Sequence, residues 1–305
     1  MGTVFAIQLA DPANEWSVEA MQAAAREAMH IAHDVERSCS RFDAHSELAR
    51  LCAQPGLAVA TSPLLLELLA LSVAIAEASD GAFDPTVGDA MWRLGFDRAW
   101  QTQQRASGSP DARRLARPVE RPVSWRDVHI DRAHGTVSLA APLLLDLGAI
   151  AKGFAVDLMT SALPEALSCS IHAGGDVRCR GTHPDERAWR VGVRDPFAPD
   201  ALAAVAHFAS GAICTSGSYE RIGPTGAHHL LDPHTGQPVE GFRSVSVVAP
   251  TAVVADGLAT AAFVLGPRRA EAWLEAQGVD ALLIDDAAAH TVVRGANTTT
   301  WDHLA

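Results

Sequence analysis

The sequence predicts an α+β fold of mostly antiparallel sheets with helices packed on them, and three observations lead there. Strand-like segments dominate residues 123–250 and are joined mostly by short turns, as antiparallel neighbours are. Helical patterns are strong elsewhere, over about 17–39, 63–79 and 255–265. With 48% apolar residues and a mean hydropathy of +0.08, a chain of 305 residues can core one large domain or two moderate ones.

In order, Thr3 to Leu9 reads as a strand, and Ser17 to Cys39 as a long helix, alanine-rich with acid and base interspersed. Ser40-Arg41-Phe42-Asp43 is a polar turn, and Ser46-Glu47-Leu48 begins a short helix. Pro63 to Ser79 is a second strong helix, with Ser62 as N-cap and Pro63 at the first helical position. Asp80-Gly81 ends it, and Ala82 to Thr86 follows as a compact loop. Residues 101–122 are polar and poor in large apolar groups, an exposed excursion whose Arg113, Arg114 and Arg117 form a solvated face. Val123 to Leu145 predicts a hairpin turning at Ala133-His134-Gly135, its second strand running from Val137 to Leu145. Ser170 to Val177 reads as strand, tight glycine turn, strand. Trp189 to Val193, Leu202 to Phe208, Gly211 to Thr215 and Ser244 to Val248 are further strands. Helices over Ala255 to Leu265 and Ala270 to Gln277 and a strand at Ala281 to Ile284 close the pattern.

Charge and cysteine usage exclude several classes. A net charge of −12 argues against a general nucleic-acid binder, which needs a basic face. No apolar run approaches the roughly eighteen residues needed to span a bilayer. The five cysteines are odd in number and show no CxxC spacing, which suggests neither a disulfide framework nor a zinc site. Free thiols fit a reducing compartment, and cytoplasm is the expected one. The alternative is a periplasmic protein or inner-membrane lipoprotein, should a leader precede Met1.

Several short motifs carry chemistry. In Leu145 to Asp157 a strand breaks at Gly148 and a helix resumes from about Ile150, leaving N–H groups that stabilise anions. Lys152 adds a point charge for a phosphate. Asp146, Asp157 and the carbonyls near Gly148 suit a hard cation such as Mg2+. From this stretch alone, an ordinary junction with one exposed lysine is the simpler reading. Asp256 and Thr260 share one helix face a turn apart, a carboxylate and a hydroxyl that suit Mg2+. Taken alone, they read more simply as a dipole-favoured Asp and a back-bonded Thr. His228 to Gly236 holds three histidines and an aspartate; without an HExxH spacing, one histidine carrying a proton is favoured over zinc. Thr215 to Tyr219 is a hydroxyl-rich loop, and Gly174-Gly175-Asp176 permits close backbone approach to a ligand. No Rossmann, GxSxG or Walker A sequence is present.

Together and in order, these pieces resemble the ApbE family of FAD:protein FMN transferases. The matching blocks are Met1 to Thr3, Ser40 to Phe42 with Ser46 to Leu48, Asp80 to Gly88, Leu145 to Asp157, Ala173 to Asp176, Thr215 to Arg221, His229 to Gly236 and Asp256 to Thr260. The resemblance spans nearly the whole chain. It implies a single ApbE-like unit over 1–305, related to the T-fold, with the option of two subdomains and an FAD site between them. It implies an enzyme dependent on Mg2+ that splits FAD, moves FMN to a threonine hydroxyl of an acceptor flavoprotein and releases AMP. The Mg2+ ligands would be the Ala149 carbonyl and the side chains of Asp256 and Thr260. FAD contacts would fall on Met1, Phe42, Ala82, Phe83, Asp84, Asp146, Lys152 and Leu230. Phe42 stands where family members often carry tyrosine, which keeps ring stacking but not a hydroxyl bond. His228 likewise replaces a frequent aromatic. His229 is the candidate acceptor of the threonine proton, with Asp84 and Asp256 as alternatives, and Lys152 stabilises charge on the pyrophosphate. An FAD pyrophosphatase and a non-catalytic FAD-binding protein remain the competing readings.

Overall fold

The computed structural model describes residues 2–96, 122–183, 188–295 and 299–303. Met1 and all of the 101–122 excursion except Pro122 lie outside these. In chain order the elements are β1 (Phe5–Ala10), α1 (Val18–Cys39), α2 (Glu47–Cys52), β2 (Val59–Ala60), α3 (Pro63–Ala78) and α4 (Gly88–Arg93). Then come a 3-10 turn (Trp125–Asp127), β3 (Val128–Asp131), β4 (Thr136–Leu139), α5 (Ala151–Ala162), β5 (Ser168–Ala173), β6 (Asp176–Arg180), β7 (Trp189–Arg194), β8 (Leu202–Phe208) and β9 (Gly211–Gly217). The chain continues with β10 (Leu231–Asp232), β11 (Gln237–Pro238), β12 (Phe242–Ala249), α6 (Ala252–Leu265), α7 (Pro267–Gln277), β13 (Asp280–Asp285), β14 (His290–Val293) and β15 (Thr300–His303). No helix among the described residues is long and apolar enough to cross a membrane.

The described residues fall into two compact units. One, the sheet unit, is drawn from within Thr3–Ala32, Lys152–Tyr219 and Glu240–Ala305; the other, the helical unit, from within Met1–Gly2, His33–Ala151 and Glu220–Val239.

The sheet unit is built on seven strands in the order β1-β5-β6-β9-β12-β13-β14, each neighbouring pair antiparallel. Strand alternation gives this sheet two different faces. Val177, Cys179, Ile213, Val248, Leu282 and Ile284 turn to one side, where they form a core with Trp189, Ala204, Ala206 and Phe208 of the small sheet β15-β8-β7. The alternate positions of β6 turn the other way, onto α5. Arg178 pairs with Asp157, and the Arg180 guanidinium donates to the carbonyls of Thr160 (2.7 Å), Leu163 (3.2 Å), Pro164 (2.6 Å) and Leu167 (3.2 Å) at the helix end. That places a cation on the negative end of the α5 dipole.

Two local devices fix the helices on this face. Asp157 accepts the N–H groups of Ala252 (2.9 Å) and Val253 (2.8 Å), and so caps the start of α6 from a neighbouring helix; Thr251 makes no side-chain cap there. Asp157 is therefore a helix cap and the partner of Arg178, which corrects its reading as a cation ligand. Gly153 lets the backbones of α5 and α6 touch, because a Cβ there would lie 2.4 Å from the Ala252 carbonyl oxygen.

In the helical unit, Ser62 caps α3 by accepting the Leu65 N–H at 3.3 Å, with Pro63 in the first turn, as the sequence indicates. Glu47 ties three elements together, accepting from the Ser38 hydroxyl (3.1 Å) and the Ser62 N–H (2.8 Å) while opening α2. The hairpin predicted over 123–145 forms, but its second strand stops at Leu139 rather than Leu145. Beyond that point the backbone bonds to a loop and a helix start instead of a strand: Leu144 accepts from Gly88 (3.1 Å) and Asp146 donates to Pro85 (2.8 Å).

Candidate active site

In the sheet unit, the first turn of α5 delivers Lys152 into a buried acidic pair. Its Nζ lies 3.2 Å from Oδ2 of Asp176, and 3.3 and 3.2 Å from Oδ1 and Oδ2 of Asp256. Asp176 opens β6 directly after the Gly174-Gly175 turn, where Gly174 takes a φ of +67° that other residues seldom adopt. Asp256 lies one turn into α6 and also accepts the Gly153 N–H at 3.3 Å. Exposure is 0% for Asp176 and 4% for Asp256, so water screens neither charge.

Burial opposes the Lys152 charge, but Asp176 and Asp256 outweigh it and raise its pKa, keeping the amine protonated. Burial, reinforced by Asp176, pushes the Asp256 carboxyl well up, against the pull of Lys152 and the Gly153 N–H. One helical turn beyond Asp256, Thr260 Oγ1 lies 3.1 Å from Ser216 Oγ on β9. Cys214 shares this face and donates to the Ala252 carbonyl at 3.4 Å; burial and the neighbouring carboxylates hold it as a thiol.

In the helical unit, a second polar group centres on Asp146. Its Oδ2 pairs with Arg41 Nε at 2.7 Å and its Oδ1 accepts the Gly148 N–H at 2.7 Å. Burial alone would raise its pKa, but Arg41, the Gly148 N–H, Arg221 and His229 together hold it below the usual carboxylate value. The Arg41 guanidinium stacks over Phe42, 4.3 Å from the ring centroid, and also donates to the Phe96 carbonyl. Phe96 meets the edge of His229, with ring centroids 6.5 Å apart.

His228 Nε2 donates to the Val239 carbonyl at 2.8 Å and its Nδ1 accepts the Leu230 N–H at 3.3 Å, a bond pattern that orients the segment carrying His229. Leu230 is buried and its carbonyl accepts from Val239. Ala82, Phe83 and Asp84 are buried as well. Asp84 uses both oxygens inside the fold, Oδ1 on Thr86 (2.8 and 2.7 Å) and Oδ2 on the Trp125 N–H (3.0 Å), and burial raises its pKa. Ala149 is half-buried in the turn that leads into α5.

The model of the ApbE family matches residues 1–283. The chain belongs to the ApbE family. It is 40% identical over 275 residues to the FAD:protein FMN transferase of Treponema pallidum, covering 81% of this chain and 72% of that one. The FAD:protein FMN transferase of Haemophilus influenzae is 29% identical over 284 residues, covering 88% of this chain and 80% of that one. Among solved structures, the ApbE protein of Thermotoga maritima superposes with a TM-score of 0.82 at 29% identity, covering 95% of this chain and 94% of that one. The flavin transferase ApbE of Vibrio cholerae gives 0.79 at 26% identity, with 97% and 94% covered. The α+β reading and the ApbE-like architecture both hold.

Within this ApbE chain, the structure brings Lys152 and Asp256 together and sets Thr260 one turn away from them. Lys152 is not the isolated exposed lysine of the simpler reading. Among the described residues no three or more His, Cys, Asp or Glu side chains gather as a metal site. Sequence reasoning missed three side chains here. Asp176 was legible only as part of a glycine turn, and Arg41 and Ser216 only as members of matching blocks. The contacts that give them meaning come from segments far apart in the chain.

Proposed function

We propose that this ApbE-family chain is an FAD:protein FMN transferase. It cleaves the pyrophosphate of FAD, moves FMN to a threonine hydroxyl of an acceptor flavoprotein and releases AMP, with Mg2+ as cofactor. The observation that carries this reading is the buried meeting of Lys152 with Asp256 and Asp176, one helical turn from the Thr260 hydroxyl. The family and the names of the relatives supply the substrate.

A hard divalent cation fits these residues on charge. Two buried carboxyl groups meet one ammonium, and a cation beside Asp256 would favour the ionised form that burial and Asp176 oppose. Carboxylate, hydroxyl and carbonyl oxygens are the donors Mg2+ takes, few from protein and the rest from water and phosphate. The side chains of Asp256 and Thr260, with the Ala149 carbonyl, would hold it. When bound, Mg2+ supplies charge neutralisation at the pyrophosphate oxygens.

The chain's own residues do the rest. The threonine oxygen forms a bond to the phosphorus of the FMN half, and the bond from that phosphorus to the bridging oxygen breaks. AMP leaves with the bridging oxygen and its electron pair. Lys152, held protonated by its two carboxylates, offsets the charge that develops as this bond breaks. His229 accepts the hydroxyl proton. Asp84 suits that step less well, because both of its oxygens are bonded within the fold.

The test is to incubate the chain with FAD, Mg2+ and a candidate acceptor flavoprotein and then weigh the acceptor. A mass gain of one FMN, lost when the target threonine is changed to alanine, is the expected result. Free FMN and AMP without a mass gain would replace transfer by hydrolysis, and intact FAD would leave a binding protein.

A further inference from the structure

Asp176 has no part in the ligand set above, yet it is the most deeply buried charge in the group. The strand fixes its direction: it opens β6, and its backbone is held in register with Ala173 on β5 and Cys214 on β9. Its carboxylate lies 3.2 Å from Lys152 Nζ, and among the described residues neither oxygen has an aligned hydrogen-bond donor. Asp176 and Asp256, both buried, address the single ammonium of Lys152.

Its position relative to the ammonium gives it a use. Lys152 Nζ lies almost equally far from both oxygens of Asp256, 3.3 and 3.2 Å, and so competes with a cation for both of them. Asp176 offers the same ammonium a second anionic partner at equal distance. We propose that Asp176 is a positioning residue that draws Lys152 off Asp256, releasing a carboxylate oxygen for the divalent cation. This rests on the reading of Asp256 as a cation ligand. Asp176 acts through Lys152 and touches neither the cation nor the flavin nucleotide.

Mn2+ serves as the probe, because its binding is read by electron paramagnetic resonance without turnover. The titration is run on the full chain, with and without FAD, alongside metal-free thermal unfolding. The unsubstituted chain should bind Mn2+ and Asp256→Asn should not. Asp176→Asn should weaken binding about 10- to 100-fold, the range seen when outer-shell partners of metal ligands are removed. Its metal-free melting temperature should be no lower than that of the unsubstituted chain, since neither carboxylate oxygen has an aligned donor to lose.

A second comparison keeps the proposal falsifiable if that variant folds poorly. In a Lys152→Gln background, the effect of Asp176→Asn on Mn2+ affinity should shrink to less than about threefold, because no ammonium remains to be drawn away. An undiminished effect there overturns the positioning role, as does Mn2+ affinity unchanged by Asp176→Asn. So does a much lower metal-free melting temperature, which would make Asp176 a fold residue. If the unsubstituted chain itself binds no Mn2+, the cation reading fails first, and that result is distinct from the others.

Discussion

Asp146 is a half-buried carboxylate that stays ionised because Arg41 and the Gly148 N–H hold it. Its folded pKa lies below that of the unfolded chain, so the stability it contributes is complete above about pH 4 and is lost as pH falls through the lower folded value. Urea unfolding at pH 5, 4 and 3 should show the unsubstituted chain losing more stability than Asp146→Asn. An equal loss in both would remove Asp146 from the acid response. Asp256→Ala is expected to abolish FMN transfer at ordinary Mg2+ concentration while FAD titration by flavin fluorescence still reports binding; near-normal transfer would remove the cation assignment. At this scale the sequence was legible where a motif is local. Asp256 and Thr260 could be read as a pair because helical periodicity alone puts them on one face. Asp157 could not, since the helix it caps starts at Ala252, far along the chain.

Elements show how the site is aligned. Asp176, Arg178 and Arg180, alternate residues of β6, address Lys152, Asp157 and the carbonyls from Thr160 onward, successive levels of α5. Two residues of strand advance about 6.6 Å and three to five residues of helix about 4.5 to 7.5 Å, so the two repeats stay roughly in step. Inserting one residue within β6 would turn this row to the opposite face. Gly153→Ala should cost about 1–3 kcal/mol, the usual penalty for overpacking, because its Cβ would meet the Ala252 carbonyl at 2.4 Å. Ser62→Ala should cost about 1 kcal/mol for the lost cap of α3. Both are read from chemical denaturation midpoints, and a Gly153→Ala chain as stable as its parent would refute the contact. Long helices and alternating strands were readable in the sequence. The short α4, β14 and β15 were not, because each gains its definition from partners rather than from its own pattern. The strand expected to reach Leu145 failed for the same reason, since Pro85 and Gly88 take its backbone bonds.

At the scale of the whole molecule, each unit is assembled from three stretches of chain, a discontinuity that no local pattern announces. The family resemblance was visible because its blocks are spread over that full length. β1 illustrates the consequence for stability: it is an edge strand of the large sheet that, among the described residues, pairs with β5 alone, from Phe5↔Ala173 to Ala10↔Ser168. A fragment ending at Ala151 carries β1 without that partner. Hydrogen exchange should find the amides of Phe5–Ala10 protected in the full chain and exchanging at unfolded rates in the fragment, and protection in the fragment would show that β1 is held by something other than the sheet. The same pairing sets a clock on synthesis. Translation at about 5–20 residues per second makes the first strand wait roughly ten to thirty seconds for its partner to be made. Through that interval an apolar strand has both edges open. Its safety during production depends on what the ribosome's surroundings do with it, more than on anything in the finished fold.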